Sequence, residues 1–91
     1  MTQPRILVHG GAGPWRRAPE RLAVARAACE EAAAVGQAVL LAGGSAVDAV
    51  EAAVRVLEDC PALDAGRGSY PTRAGTIEMD AMVMDGADPR P

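Results

Sequence analysis

Lysine and phenylalanine are missing altogether from this chain, and the aromatic share is only 2%. A core without aromatics has to be assembled from Ala, Val, Leu, Ile and Met, which bury less area each. At 91 residues there is room for one domain, and such a chain buries a modest fraction of its surface. Closely packed helices with a thin margin of stability are therefore expected. Every one of the nine basic residues is Arg, acids outnumber them, and the formal net charge is −3. Arg16 and Arg17 are too few to make a basic stripe, so nucleic acid is excluded as a partner. The two cysteines, Cys29 and Cys60, form no CxxC pair, which argues against a metal site built from them. They read as reduced thiols. No run approaches a membrane span, and the apolar stretch after Met1 to Arg5 is too short for a secretory leader. The expectation is a cytoplasmic chain with no membrane partner.

Against these absences, the stretch from Gly43 to Ser69 carries strong local signals. Gly43-Gly44 ends one helix, Ser45 with Asp48 three residues on caps the next, and Pro61 forbids its continuation. A helix from Ser45 to about Glu58 follows, with an apolar stripe of Val47, Val50, Val54 and Leu57. Pro19 suits the first position of an earlier helix, reaching about Ala42, with Leu22, Ala25, Cys29, Ala32, Ala33, Gly36 and Leu40 on one stripe. The short connection predicts antiparallel neighbours. Arg5 to His9 reads as a buried strand covered on both faces, since its apolar residues do not alternate. Ser69 to Gly86 reads as a hairpin: a weak strand over 69–72, a turn at Arg73-Ala74-Gly75, and a better strand over Thr76 to Met84.

Four groups of residues raise the question of chemistry. His9-Gly10-Gly11-Ala12-Gly13 could cradle a phosphate on backbone amides, yet neither nucleotide fingerprint is present and a tight chain reversal explains the turn. His9 alone reads as a turn-stabilising group. Glu78, Asp80 and Asp85 are too few oxygens for a dedicated metal cage and read as a solvated or partner-facing edge. Cys29 reads as a small core residue, and at Cys60 the backbone matters more than the sulfur. The loop Asp64-Ala65-Gly66-Arg67-Gly68-Ser69 follows a helix end whose carbonyls lack intrahelical partners. Inward-turned carbonyls there would suit a hard cation, although a plain surface loop is also compatible with the composition.

Five motifs in register now point to a family. They are His9 to Gly13, Gly44-Ser45-Ala46-Val47-Asp48-Ala49-Val50-Glu51, Leu57-Glu58-Asp59, Ala65-Gly66-Arg67-Gly68-Ser69, and Glu78-Met79-Asp80-Ala81 through Met84-Asp85-Gly86. Together they resemble the N-terminal part of the plant-type L-asparaginase/isoaspartyl peptidases, which are N-terminal-nucleophile hydrolases. The resemblance implies an α/β fold, a partial αββα sandwich of one strand, two antiparallel helices and a β-hairpin. It makes residues 1–86 the N-terminal portion of the α-subunit and leaves 87–91 as a disordered tail. It implies a self-cleaving precursor whose released threonine attacks the side-chain amide of asparagine or a β-aspartyl peptide bond.

The family's nucleophile, oxyanion hole and substrate clamp have no counterpart in these motifs, and Thr2, Thr72 and Thr76 are not in a cleavage motif. The resemblance thus implies a fragment, or the product of a truncated frame, that is inactive alone. No organic cofactor is implied, but a structural sodium ion is. By position its ligands would be the backbone carbonyls of Leu57, Glu58, Cys60, Leu63, Ala65 and Arg67. Gly10, Gly11 and Asp64 would lie near the absent threonine, with Asp64 replacing the family's Asn. The implied partners are the remainder of the α-subunit and the β-subunit in an (αβ)2 assembly, with asparagine or a β-aspartyl dipeptide as substrate. A different class is also conceivable: a non-catalytic module pairing through an open strand edge at Thr76 to Met84, with a phosphate-binding half-domain behind it.

Overall fold

A computed structural model describes residues 3–13 and 15–87. Two helices dominate it: α1 over Pro19–Leu41 and α2 over Ala46–Glu58. Pro19 opens α1 without a missed hydrogen bond, because the first N–H groups of a helix have no intrahelical partner. Its far end is closed by Gly44 N–H donating to Val39 O (2.9 Å) and Gly43 N–H to Leu40 O (3.1 Å). Gly43 has φ of 89°, the left-handed geometry such a closure needs. Ser45 then starts α2, its Oγ accepting from Asp48 N–H at 3.1 Å.

The helices run antiparallel. Gly36 of α1 lies where an added Cβ would be 3.2 Å from Ala49 O and 3.5 Å from the Ala53 Cβ. Farther on, Ala25 and Ala28 of α1 pack with Cys60, Ala62 and Leu63 beyond the end of α2. The buried positions of α2 are Ala49 and Ala53. The valine stripe expected to face the core does not: Val50 is 41% exposed and Val54 46%. Small residues win the interface because they let the two backbones approach. The valines instead line a groove of about 430 Å³ with Ala81, Met82 and Val83.

The expected partial αββα sandwich is not seen, for no strand forms among the described residues. The segment before α1 is extended but unpaired. Gln37 Nε2 donates to Pro4 O (3.1 Å), Ile6 packs on Gly36, and Gly10 lies against Cys29. The segment thus runs antiparallel to α1, with Ile6 and Val8 half-buried and Leu7 94% exposed. One face is covered rather than two. With no neighbouring strand to take its backbone groups, an extended segment is not a sheet.

The hairpin likewise reduces to its turn. Thr72 N–H donates to Thr76 O (2.6 Å), Gly75 N–H to Thr72 O (2.9 Å), and one antiparallel bridge joins Pro71 and Ile77. Pro71 has no N–H, so the ladder stops there. Met79, Met82, Val83 and Met84 remain exposed, and among the described residues no edge strand forms that could recruit another chain. Of the expected tail, 88–91 lie outside the described residues, as does Thr2. No helix among the described residues is long and apolar enough to cross a membrane.

Candidate functional site

Two segments far apart in sequence meet beside the start of α1. The first is the glycine turn. His9 Nδ1 accepts from Gly11 N–H at 3.0 Å, and Trp15 Nε1 donates to Gly11 O at 3.3 Å. His9 therefore stabilises the turn as an acceptor. The Gly11 amide is thereby engaged within the turn and is not presented to a phosphate. Trp15 begins a 3₁₀ turn over Trp15–Arg17 and packs against the buried cluster.

The second segment is the loop after α2. Leu63, 3% exposed, is the large apolar anchor of an otherwise small-residue core. A Cβ added at Gly10 would lie 3.4 Å from Leu63 Cδ2 and 2.8 Å from Cys29 Sγ. This contact is what draws the glycine turn onto the loop. Gly10, Gly11 and Asp64 thus line one cleft with His9, Leu57 and Ala65. Gly10, Gly11 and Asp64 also share a larger cavity of about 330 Å³ with Trp15, Arg21 and Tyr70.

The loop itself is wound tightly enough to turn carbonyls inward. Gly66 has φ of 53°, and a Cβ there would strike Glu58 O. A Cβ at Gly68 would strike Leu63 O and come within 2.8 Å of Pro61 O. Leu57 O accepts from Cys60 N–H (3.2 Å), Cys60 O from Leu63 N–H (3.3 Å), and Ala65 O from Gly68 N–H (3.1 Å). Cys60 O and Ala65 O each keep a second lone pair. At the end of the loop, Ser69 Oγ is enclosed without a hydrogen-bond partner. Of the six expected carbonyls, Glu58 and Leu63 face the two glycines, whereas Arg67 O accepts no backbone loop hydrogen bond among the described residues. Pro61 O joins them although sequence reasoning did not name it. No signal could have found it, because every residue carries the same carbonyl.

Asp64 is exposed, and its Oδ1 accepts from Tyr70 N–H at 2.8 Å. Arg67 Nε lies 3.9 Å from Asp59 Oδ1 at the surface, a pair of little energetic weight. Both cysteines are free thiols, Cys60 buried and Cys29 partly so. Glu78, Asp80 and Asp85 are exposed, and no group of three or more His, Cys, Asp or Glu side chains that could hold a metal occurs among the described residues.

Comparison with known proteins gives this arrangement a context. The isoaspartyl peptidase/L-asparaginase of Danio rerio is 49% identical over 83 residues, covering 91% of this chain and 26% of the relative. The human isoaspartyl peptidase/L-asparaginase is 49% identical over 86 residues, or 93% of this chain and 27% of the relative. The isoaspartyl peptidase of Salmonella typhimurium is 47% identical over 89 residues, or 94% and 28%. The chain spans about a quarter of the length of these curated relatives. A family model described as "Asparaginase" matches residues 2–90, and the chain belongs to that family.

Proposed function

We propose that this chain supplies the supporting part of a threonine-type amidohydrolase that acts on the side-chain amide of asparagine or on β-aspartyl peptide bonds. The observation that carries the reading is the seating of the glycine turn on the carbonyl-lined loop through Gly10 and Leu63. In this account residues 1–86 belong to the α-subunit of a self-processing precursor, with 87–91 as its tail. The nucleophile lies in sequence outside this chain. The rest of the α-subunit and the β-subunit cover the exposed methionines and complete an (αβ)2 assembly in the cytoplasm.

The loop after α2 fits a sodium ion. Its inward carbonyls at Glu58 and Leu63, the crowding that Gly66 and Gly68 relieve, and the unpartnered Ser69 hydroxyl are what an oxygen-lined cradle needs. Leu57, Glu58, Cys60, Leu63, Ala65 and Arg67 would hold the ion by their backbone oxygens. A bound cation supplies charge that holds these carbonyl dipoles together. The loop in turn presents Asp64 beside Gly10 and Gly11.

The test is an assay of the full-length protein for ammonia release from asparagine and for amino-acid release from β-aspartyl dipeptides. Turnover that appears only after chain cleavage at a threonine supports the reading. A cleaved, folded protein that hydrolyses neither substrate overturns it.

A further inference from the structure

The Arg21 guanidinium, on the first turn of α1, reaches across to the loop. Its Nη2 donates to Ala62 O at 3.3 Å and to Tyr70 Oη at 3.2 Å, residues 41 and 49 positions away in sequence. The guanidinium carbon lies 6.0 Å from the centre of the Tyr70 ring. Ala62 stands immediately before the stretch Leu63 to Ser69, the half of the loop that carries Leu63, Ala65 and Arg67, and Tyr70 immediately after it. We infer that Arg21 is a positioning residue of the cation loop, clamping both ends of its Leu63–Ser69 half from α1; this rests on the cation reading of that loop.

Pro61 O and Leu63 O both crowd the place a Cβ would take on Gly68, whereas Ala62 O between them is held by Arg21. Ala62 C=O and Leu63 N–H share one rigid peptide plane. Anchoring the oxygen to Arg21 therefore keeps the N–H aimed at Cys60 O, the 3.3 Å bond that closes the turn. With that plane fixed, the carbonyls on either side are left to face inward. At the exit, Tyr70 takes Arg21 on its hydroxyl and gives its N–H to Asp64 Oδ1 at 2.8 Å. One guanidinium thus sets the span that Leu63, Ala65 and Arg67 must bridge. One nitrogen makes both bonds, which an ammonium could also do, but lysine lacks the planar guanidinium that lies 6.0 Å from the Tyr70 ring and so replaces Arg21 only in part.

The test compares sodium binding, by sodium-23 relaxation, in the full-length protein and its Arg21→Met, Arg21→Lys and Tyr70→Phe variants. Choline chloride serves as the sodium-free control for thermal unfolding. Losing a charge-assisted hydrogen bond of this kind is expected to weaken sodium binding about tenfold in Arg21→Met. Arg21→Lys should recover part of that loss, and Tyr70→Phe should show a smaller one. Unfolding in choline should move little, because Arg21 is exposed. Sodium binding unchanged in both Arg21→Met and Tyr70→Phe would overturn the role of Arg21 while leaving the ion site standing. Equal loss of stability with and without sodium would also overturn it. A wild-type protein indifferent to sodium would remove the ion site itself, and this inference with it.

Discussion

Asp64 is the residue on which the proposed chemistry turns. Its carboxylate stands where the family resemblance places an amide near the nucleophilic threonine. An anion beside the threonine amine favours the ammonium form and raises the pH at which free base becomes available. Asp64 is exposed and accepts from Tyr70 N–H. In the full-length enzyme, Asp64→Asn is expected to move the acid limb of the kcat/KM profile down by about one pH unit. Superimposable profiles would remove Asp64 from the account. Gly68 offers a second test at this scale. A Cβ there collides with Leu63 O and approaches Pro61 O, so Gly68→Ala should abolish stabilisation by sodium, read as the difference in melting temperature between sodium and choline chloride. The glycines of this loop were legible in the sequence as a place where packing alone gave no reason for them. The participation of Pro61 and Ala62 was not, because it depends on main-chain oxygens that look alike at every position.

At the scale of elements, both helices could be located from their punctuation. Pro19, Gly43, Ser45 and Pro61 mark ends by local chemistry, and the helices of the structure fall between those marks. Ser45→Ala should cost about 1 kcal/mol in chemical denaturation, the usual worth of a cap bond. Which face of α2 is buried was not legible, since the valines and the alanines have similar helical spacing and only the partner decides between them. The partner is Gly36, packed under Ile6 and beside Ala49 and Ala53. Gly36→Leu would force these layers apart and is expected to destabilise by about 1–3 kcal/mol. Leu63→Ala, which empties the anchor under Gly10, should cost about 2–5 kcal/mol and loosen the glycine turn as well. The strands failed for a related reason. Arg5 to His9 and Thr76 to Met84 have strand-like sequences, but a strand exists only when another segment takes its hydrogen bonds, and pairing is not a local property.

The whole molecule is unusually open. It exposes 7266 Å², whereas a folded monomer of 9.3 kDa would expose roughly 5,000 Å². Leu7, Met79, Met82, Val83 and Met84 are all exposed, and Met82 and Val83 share a groove with Val47, Val50 and Val54 of α2. Such a surface suits a part that is covered by further protein, which agrees with relatives about three and a half times as long. The most direct test of the account is an activity assay of this 91-residue chain, alone and mixed with the remaining portion of its Salmonella typhimurium relative, using asparagine and a β-aspartyl dipeptide. The account predicts no turnover from the chain by itself and turnover from the reconstituted pair. Hydrolysis of either substrate by the isolated chain would contradict it.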